Sequence, residues 1–162
     1  MNILITGASG GIGSSIKDAL SRKEFMIFSP SSKELDLKDK KQITHYLNDK
    51  LIDGVVHAAG INSVMHASEV DENILIDHLR INTLSLFQIC KNIKSESKCI
   101  NIIAISSLYG ICWKASLAHS DFTILYSAVA QLFRKKTRTS KMNFMFPDIS
   151  SSIIWKDQVI LC

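Results

Sequence analysis

Residues 5–13 read ITGASGGIG, with four glycines inside Gly7–Gly13. An apolar run, MNILIT, precedes them, and Ile12, Ile16 and Leu20 follow at i, i+4 and i+8, one face of a helix. A glycine-rich turn that leaves a strand and enters a helix suits an anion. Gly7 allows the tight turn, Gly10 or Gly11 removes a Cβ where backbone must approach a pyrophosphate, and Gly13 lets the helix pack close to the strand. The N–H groups at the helix start then face the phosphate oxygens. The chemistry on offer is the binding of a phosphate-bearing ligand.

Such a loop needs a sheet to hold it. Phe25–Phe28 is a second apolar run, stopped by the turn-rich SPSS. Lys40–Leu47 reads as a short helix and Gly54–His57, GVVH, as a third strand ended by AAG. Asn73–Ile93 is the longest helical pattern, with Ile76, Leu79, Thr83, Leu86 and Cys90 along one face. Cys99–Ser106, CINIIAIS, is a fourth strand, apolar at nearly every position, which suits a parallel sheet buried on both faces. Strands alternating with helices predict βαβ units in a Rossmann-like, doubly wound parallel sheet of three α/β/α layers. Ligands of such sheets bind outside the carboxyl ends of the strands, here ITGASGG, FSPSS, HAAGIN and ISSLYG.

The composition narrows the function classes. Hydrophobic residues make up 46% and charged residues 21%, the balance of a soluble globular chain. No apolar run approaches the ~18 residues of a membrane span. MNILITGASGG lacks the basic and apolar regions of a signal peptide, so the expected location is cytoplasmic. Cys90, Cys99, Cys112 and Cys162 form no CxxC pair and no metal-ligand spacing, so no metal is expected. The net charge of +4 arises wholly in residues 114–162, which carry seven Lys/Arg against three Asp/Glu, mainly in RKKTRTSK. No aromatic residue interleaves with that run, which favours a solvated surface over a nucleic-acid site.

The loop and four further motifs, in order, resemble the short-chain dehydrogenase/reductase family over roughly residues 1–130. Thr6–Gly13 fits both the family's TGxxxGxG motif and the TGxxGxxG form of its extended branch. The resemblance implies a cofactor site at Gly7, Ser9, Gly10, Gly11, Ile12 and Gly13. Asp36 and Leu37, in ELDLKD, sit where the family cradles the adenine. His57-Ala58-Ala59-Gly60 resembles the NNAG motif, which places Ala58, Ala59 and Gly60 beside the cofactor. The second strand ends in Ser29-Pro30-Ser31-Ser32-Lys33 with no acid before Glu34. Ser31, Ser32 and Lys33 suit a 2′-phosphate, so NADP(H) is expected, with NAD(H) as the alternative.

By the same resemblance Asn82, Ser107 and Tyr126 are the catalytic residues. In the family a serine polarises the substrate carbonyl, an asparagine holds a water, and a tyrosine passes the proton. A free phenol, pKa ≈ 10, holds its proton tightly, and a lysine four residues on lowers that pKa. Here position 130 is Ala130. Lys135, nine residues beyond Tyr126, would fall on the opposite face of a helix, after roughly 900° of rotation. Tyr109, the rival phenol in SSLYG, has Trp113 at that offset.

Residues 1–130 are thus expected to form an NAD(P)-binding Rossmann domain and residues 131–162 a divergent basic tail. In that tail Met142–Asp148 resembles the family's VNxIxPG strand, with Asp148 in the glycine position. The loss of periodicity near residue 129 also fits a tail read in a shifted frame or a fold left incomplete at its C-terminus. The expected activity is hydride transfer between a nicotinamide cofactor and a small carbonyl or alcohol substrate. A nucleotide-sugar epimerase or reductase of the extended branch is the rival enzyme. A nucleotide-binding scaffold or remnant without turnover is the rival function. Family members often pair through their long helices, so Asn73–Ile93 could serve a homo-oligomer, and the oligomeric state stays open.

Overall fold

The computed structural model describes residues 1–62, 71–96 and 100–105, and the backbone of 141–145. Strand β1 (Asn2–Thr6) is followed by α1 (Gly11–Ser21), β2 (Met26–Phe28), α2 (Lys40–Leu47) and β3 (Gly54–His57). Then come α3 (Glu72–Leu79), a π-helical turn (Arg80–Leu84), α4 (Ser85–Asn92), β4 (Asn101–Ile105) and β5 (Lys141–Met145). All five strands are parallel, in the order β2-β1-β3-β4-β5. The order makes the fold an α/β, Rossmann-like doubly wound sheet, as the alternating pattern predicts. The chain moves one way from β1 to reach β2 and the other way to reach β3, so the topological switch lies between β1 and β3.

Alternation along each strand divides the core in two. Leu4, Val55, Ile102 and Ala104 face one side, where Ile43 and Leu47 of α2 and Leu86 and Ile89 of α4 cover them. Ile3, Ile5 and Val56 face the other, against Ile16 and Leu20 of α1. Because both faces are covered, the strand sequences are apolar nearly throughout. Two helix starts carry their own caps: Asp39 accepts from the N–H groups of Lys41 and Gln42, and Asp71 from that of Asn73.

Besides trimmed ends on the first and fourth strands, the structure differs from the sequence expectation at four places. The second strand is Met26–Phe28, one residue shorter than expected. Ile12 does not join the packed face of α1; it is 39% exposed at the helix start, and the packing is left to Ile16 and Leu20. The long helix expected over Asn73–Ile93 is interrupted by the π-helical turn, where the Ser85 N–H reaches the Arg80 carbonyl five residues back. That extra residue changes the helix phase, so the buried residue on α3 is His78, while Ile76 and Leu79 are half-buried. Finally, β5 pairs all five of its residues with β4, from Asn101↔Lys141 to Ile105↔Met145. It lies inside the stretch where the sequence offers no firm element.

Candidate dinucleotide site

A crevice of about 300 Å³ opens beyond the carboxyl ends of β1, β2 and β3, at the switch point. Thr6, Gly7, Ser9 and Gly10 form its floor, Pro30, Ser32 and Leu35–Leu37 one wall, and Ala58–Ile61 with Ile81 the other. A depression of about 500 Å³ along the outer face of α2 is larger, but Lys40, Lys41, Thr44, His45 and Asn48 all come from one helix. It lacks the convergence of several elements that makes a ligand pocket.

The loop geometry separates the roles of its glycines. Gly7 has φ +71°, and a Cβ there would stand 2.5 Å from the Ala59 nitrogen. A Cβ on Gly13 would collide with the Gly7 carbonyl, so these two residues let helix, loop and β3 pack together. Gly10 lines the crevice, whereas Gly11 does not, and a Cβ on Gly11 would meet nothing within 4 Å. Gly7 and Gly13 are therefore required by packing and Gly10 is the glycine that faces the crevice, together the TGxxGxxG spacing. α1 has no side-chain cap and no acid in its first turn, unlike α2 with its Asp39 cap and α3 with Asp71. An uncapped helix start behind a Cβ-free wall fits a pyrophosphate.

The second wall departs from a simple phosphate cradle. Ser32 lines the crevice, but Ser31 directs both its N–H and its hydroxyl to the Glu34 carboxylate, each at 2.8 Å. Those two hydrogen bonds, the backbone one foremost, hold the Glu34 carboxyl below its usual pKa. Asp36 also lines the crevice, with one carboxylate oxygen accepting the Lys38 N–H at 2.9 Å. Leu35 is buried in the core and Leu37 packs against it, so this wall is anchored from behind.

On the third strand, Ala58, Ala59 and Gly60 all line the crevice. Asn82 clasps the residue that follows them. The Ile61 N–H donates to its Oδ1 at 2.8 Å, and its Nδ2 donates to the Ile61 carbonyl at 3.0 Å. A Cβ on Gly60 would lie 3.4 Å from that Oδ1. The Asn82 amide is thus committed to the loop after β3. Behind it, His57 is fully buried, with Nδ1 2.7 Å from the Thr6 hydroxyl and Nε2 3.3 Å from that of Ser85. Burial pushes its pKa down to about 4, against the opposing pull of the Ile81 carbonyl, so the ring is neutral.

Of the residues the sequence singles out, Gly7, Ser9, Gly10, Ser32, Asp36, Leu37, Ala58, Ala59 and Gly60 line one crevice. Ser31, Gly11, Ile12 and Gly13 stand around it without lining it. Ser107, Tyr126 and Ala130 lie outside the described residues, as do Tyr109 and Lys135. The sequence does not mark Pro30, Leu35, Ile61 and Ile81 as lining residues. Ile61 and Ile81 reach the crevice through the Asn82 clasp and the π-helical turn, neither of which has a periodic signature. No group of three metal-ligating side chains occurs among the described residues, and no described helix is long and apolar enough to cross a membrane.

The profile of the RmlD substrate binding domain family matches residues 1–110. GDP-L-colitose synthase of Yersinia pseudotuberculosis is 46% identical over 68 residues, 42% of this chain and 22% of that protein. GDP-L-fucose synthase of Azorhizobium caulinodans is 29% identical over 120 residues, 74% of this chain and 38% of that protein. The chain therefore matches between about a fifth and two fifths of the length of these curated relatives. Among solved structures, a small-chain dehydrogenase superposes with a TM-score of 0.82 at 16% identity, over 91% of this chain and 82% of that one. The aldohexose dehydrogenase of Thermoplasma acidophilum superposes with a TM-score of 0.77 at 18% identity, over 90% and 65%. At such identities the structural likeness speaks for the fold alone.

Proposed function

The chain belongs to the RmlD substrate binding domain family, of the short-chain dehydrogenase/reductase kind, and from that premise we propose that its crevice binds a nicotinamide dinucleotide in the service of an oxidoreductase acting on a nucleotide-linked sugar. The observation that carries this reading is the crevice at the β1/β3 switch point, with an uncapped helix start and the Cβ-free Gly10 on its floor. The sugar class is suggested by two relatives whose names are those of GDP-sugar synthases.

In this reading Gly10 and the first turn of α1 hold the pyrophosphate, and Asp36 with Leu37 flanks the adenine. Ala58, Ala59 and Gly60 border the nicotinamide half. NADP(H) is the proposed form, because Ser32 lines the wall where a 2′-phosphate would lie and Lys33 adjoins it; Ser31 must first release Glu34 to help. The bound nicotinamide would donate or accept the hydride. Ser107 is proposed to polarise the substrate carbonyl and Tyr126 to pass the proton at its Oη. Asn82 holds the Ile61 loop in place.

Ala130 favours a second reading, a chain that binds the dinucleotide and turns over slowly or not at all. Ala130 leaves no lysine four residues beyond Tyr126, and a phenol without such help exchanges its proton slowly near neutrality. A thermal-shift titration with NADPH and NADH in parallel tests the binding step. A ligand that binds only the folded chain adds roughly 2.7 kcal/mol at 100 times its Kd. Stabilisation by NADPH alone supports the proposed form, and stabilisation by NADH alone replaces it. A response to neither, from folded protein, defeats both readings. NADPH formed from NADP+ and GDP-L-fucose would then separate the enzyme from the binder.

A further inference from the structure

We propose that His57 is a positioning residue for the crevice: bridging β1 to the π-helical turn, it fixes the wall that Ile81 and, through Asn82, Ile61 present to the dinucleotide. The proposal rests on the reading that this crevice takes a nicotinamide dinucleotide.

The wide turn is where the geometry begins. In an α-helix the Ile81 carbonyl would accept the Ser85 N–H. Here that N–H goes to Arg80, one residue further back. The Ile81 carbonyl instead accepts the Ser85 hydroxyl at 2.6 Å, and the oxygen of that hydroxyl stands 3.3 Å from His57 Nε2. With its proton directed to Ile81, the Ser85 hydroxyl can only accept from the ring, so Nε2 carries the proton. Nδ1 is then the acceptor, and the Thr6 hydroxyl donates to it at 2.7 Å. Each partner therefore supports the same tautomer of a neutral imidazole.

The ring lies between two parts of the crevice. Thr6 belongs to its floor and Ile81 to its wall. Asn82, the next residue of the turn, holds Ile61 through two hydrogen bonds. His57, Thr6 and Ser85 are all buried, so water cannot replace a lost partner. A buried polar network with its partners in place favours one geometry over its competitors. Without the ring nitrogens, the turn would lose the donor that holds the Ser85 hydroxyl against its displaced carbonyl and could relax toward α-helical phase. That change would rotate Ile81 and Asn82 together away from their present places.

The test compares the NADPH and NADH affinities of the folded chain, read by cofactor fluorescence, with its unfolding midpoint. His57→Leu removes both ring nitrogens, and Ser85→Ala removes only the hydroxyl, which guards against a variant that fails to fold. Ile3→Val, in the core at the far end of β1, serves as the control for simple destabilisation. Both network variants should weaken dinucleotide binding by roughly tenfold. Ile3→Val should keep wild-type affinity while its midpoint falls, and His57→Gln, which retains a donor and an acceptor, should bind more tightly than His57→Leu. In parallel, amide hydrogen exchange without ligand should accelerate at Asn82–Ser85 more than at Leu86–Asn92 of α4. Wild-type affinity in folded Ser85→Ala and His57→Leu would overturn the proposal and leave the dinucleotide reading standing. A wild-type chain that binds neither dinucleotide would instead overturn that reading, and the proposal with it.

Discussion

Gly11 and Gly13 stand two positions apart, and different physics governs each. A methyl group on Gly13 would collide with the Gly7 carbonyl, whereas one on Gly11 has open space around it. Gly13→Ala should therefore cost about 1–3 kcal/mol of stability through overpacking. Gly11→Ala should stabilise by about 0.4–1 kcal/mol, because it lowers the entropy of the unfolded chain without strain. Urea denaturation of the two variants checks both signs, and equal effects would contradict the account. The motif itself was legible in the sequence, but which of two adjacent glycines faces the ligand was not. That choice depends on where the Gly7 carbonyl and Ala59 lie, which no local pattern records. His57 makes a second residue-scale prediction. Its pKa falls from 6.5 unfolded to about 4 folded. The unfolded chain thus binds more protons between those values, so this contribution is intact above pH 6.5 and is lost as pH falls through 4. The full loss is about 3 kcal/mol. The stability gap between wild type and His57→Leu should accordingly narrow on acidification, as urea midpoints measured from pH 7 to pH 4 would reveal.

At the scale of elements, the first four strands were readable because they are largely apolar on both faces, a property carried by composition alone. The helix over residues 72–92 was readable as a helix but not in its phase. A 3.6-residue period has no provision for the one-residue excess of a π-helical turn, so it places Ile76 and Leu79 on the stripe that His78 occupies. The same turn leaves Thr83 fully buried, with no hydrogen-bond partner for its hydroxyl among the described residues. An unpaired buried hydroxyl costs more than the isosteric methyl group that could replace it. Thr83→Val should raise stability by about 1 kcal/mol, seen as a higher midpoint in thermal unfolding. A lower midpoint would mean that the hydroxyl has a partner. The cap of α2 predicts the opposite sign: Asp39→Ala removes the acceptor for two amides and should cost about 1 kcal/mol. β5 was only half legible. Its apolar residues stand out in the sequence, but the partner that makes them a strand, β4, lies some forty residues away.

Across the whole molecule, the strand order concentrates the loops after β1, β2 and β3 at one end of the sheet. This explains why motifs scattered over the first sixty residues line a single crevice. The catalytic assignment of Ser107 and Tyr126 comes from sequence resemblance, so binding and turnover are separate questions for this chain. Binding is the central one, and nuclear magnetic resonance answers it residue by residue. NADPH titrated into isotopically labelled protein should shift the backbone amides of Ser9–Gly13, Ser32, Asp36–Leu37 and Ala58–Ile61 together, with one saturating dependence on concentration. Amides along Lys40–Asn48, on the outer face of α2, should stay in place. Shifts centred on that helix face, or none at the glycine loop at saturating NADPH and NADH, would contradict the assignment of the crevice as a dinucleotide site.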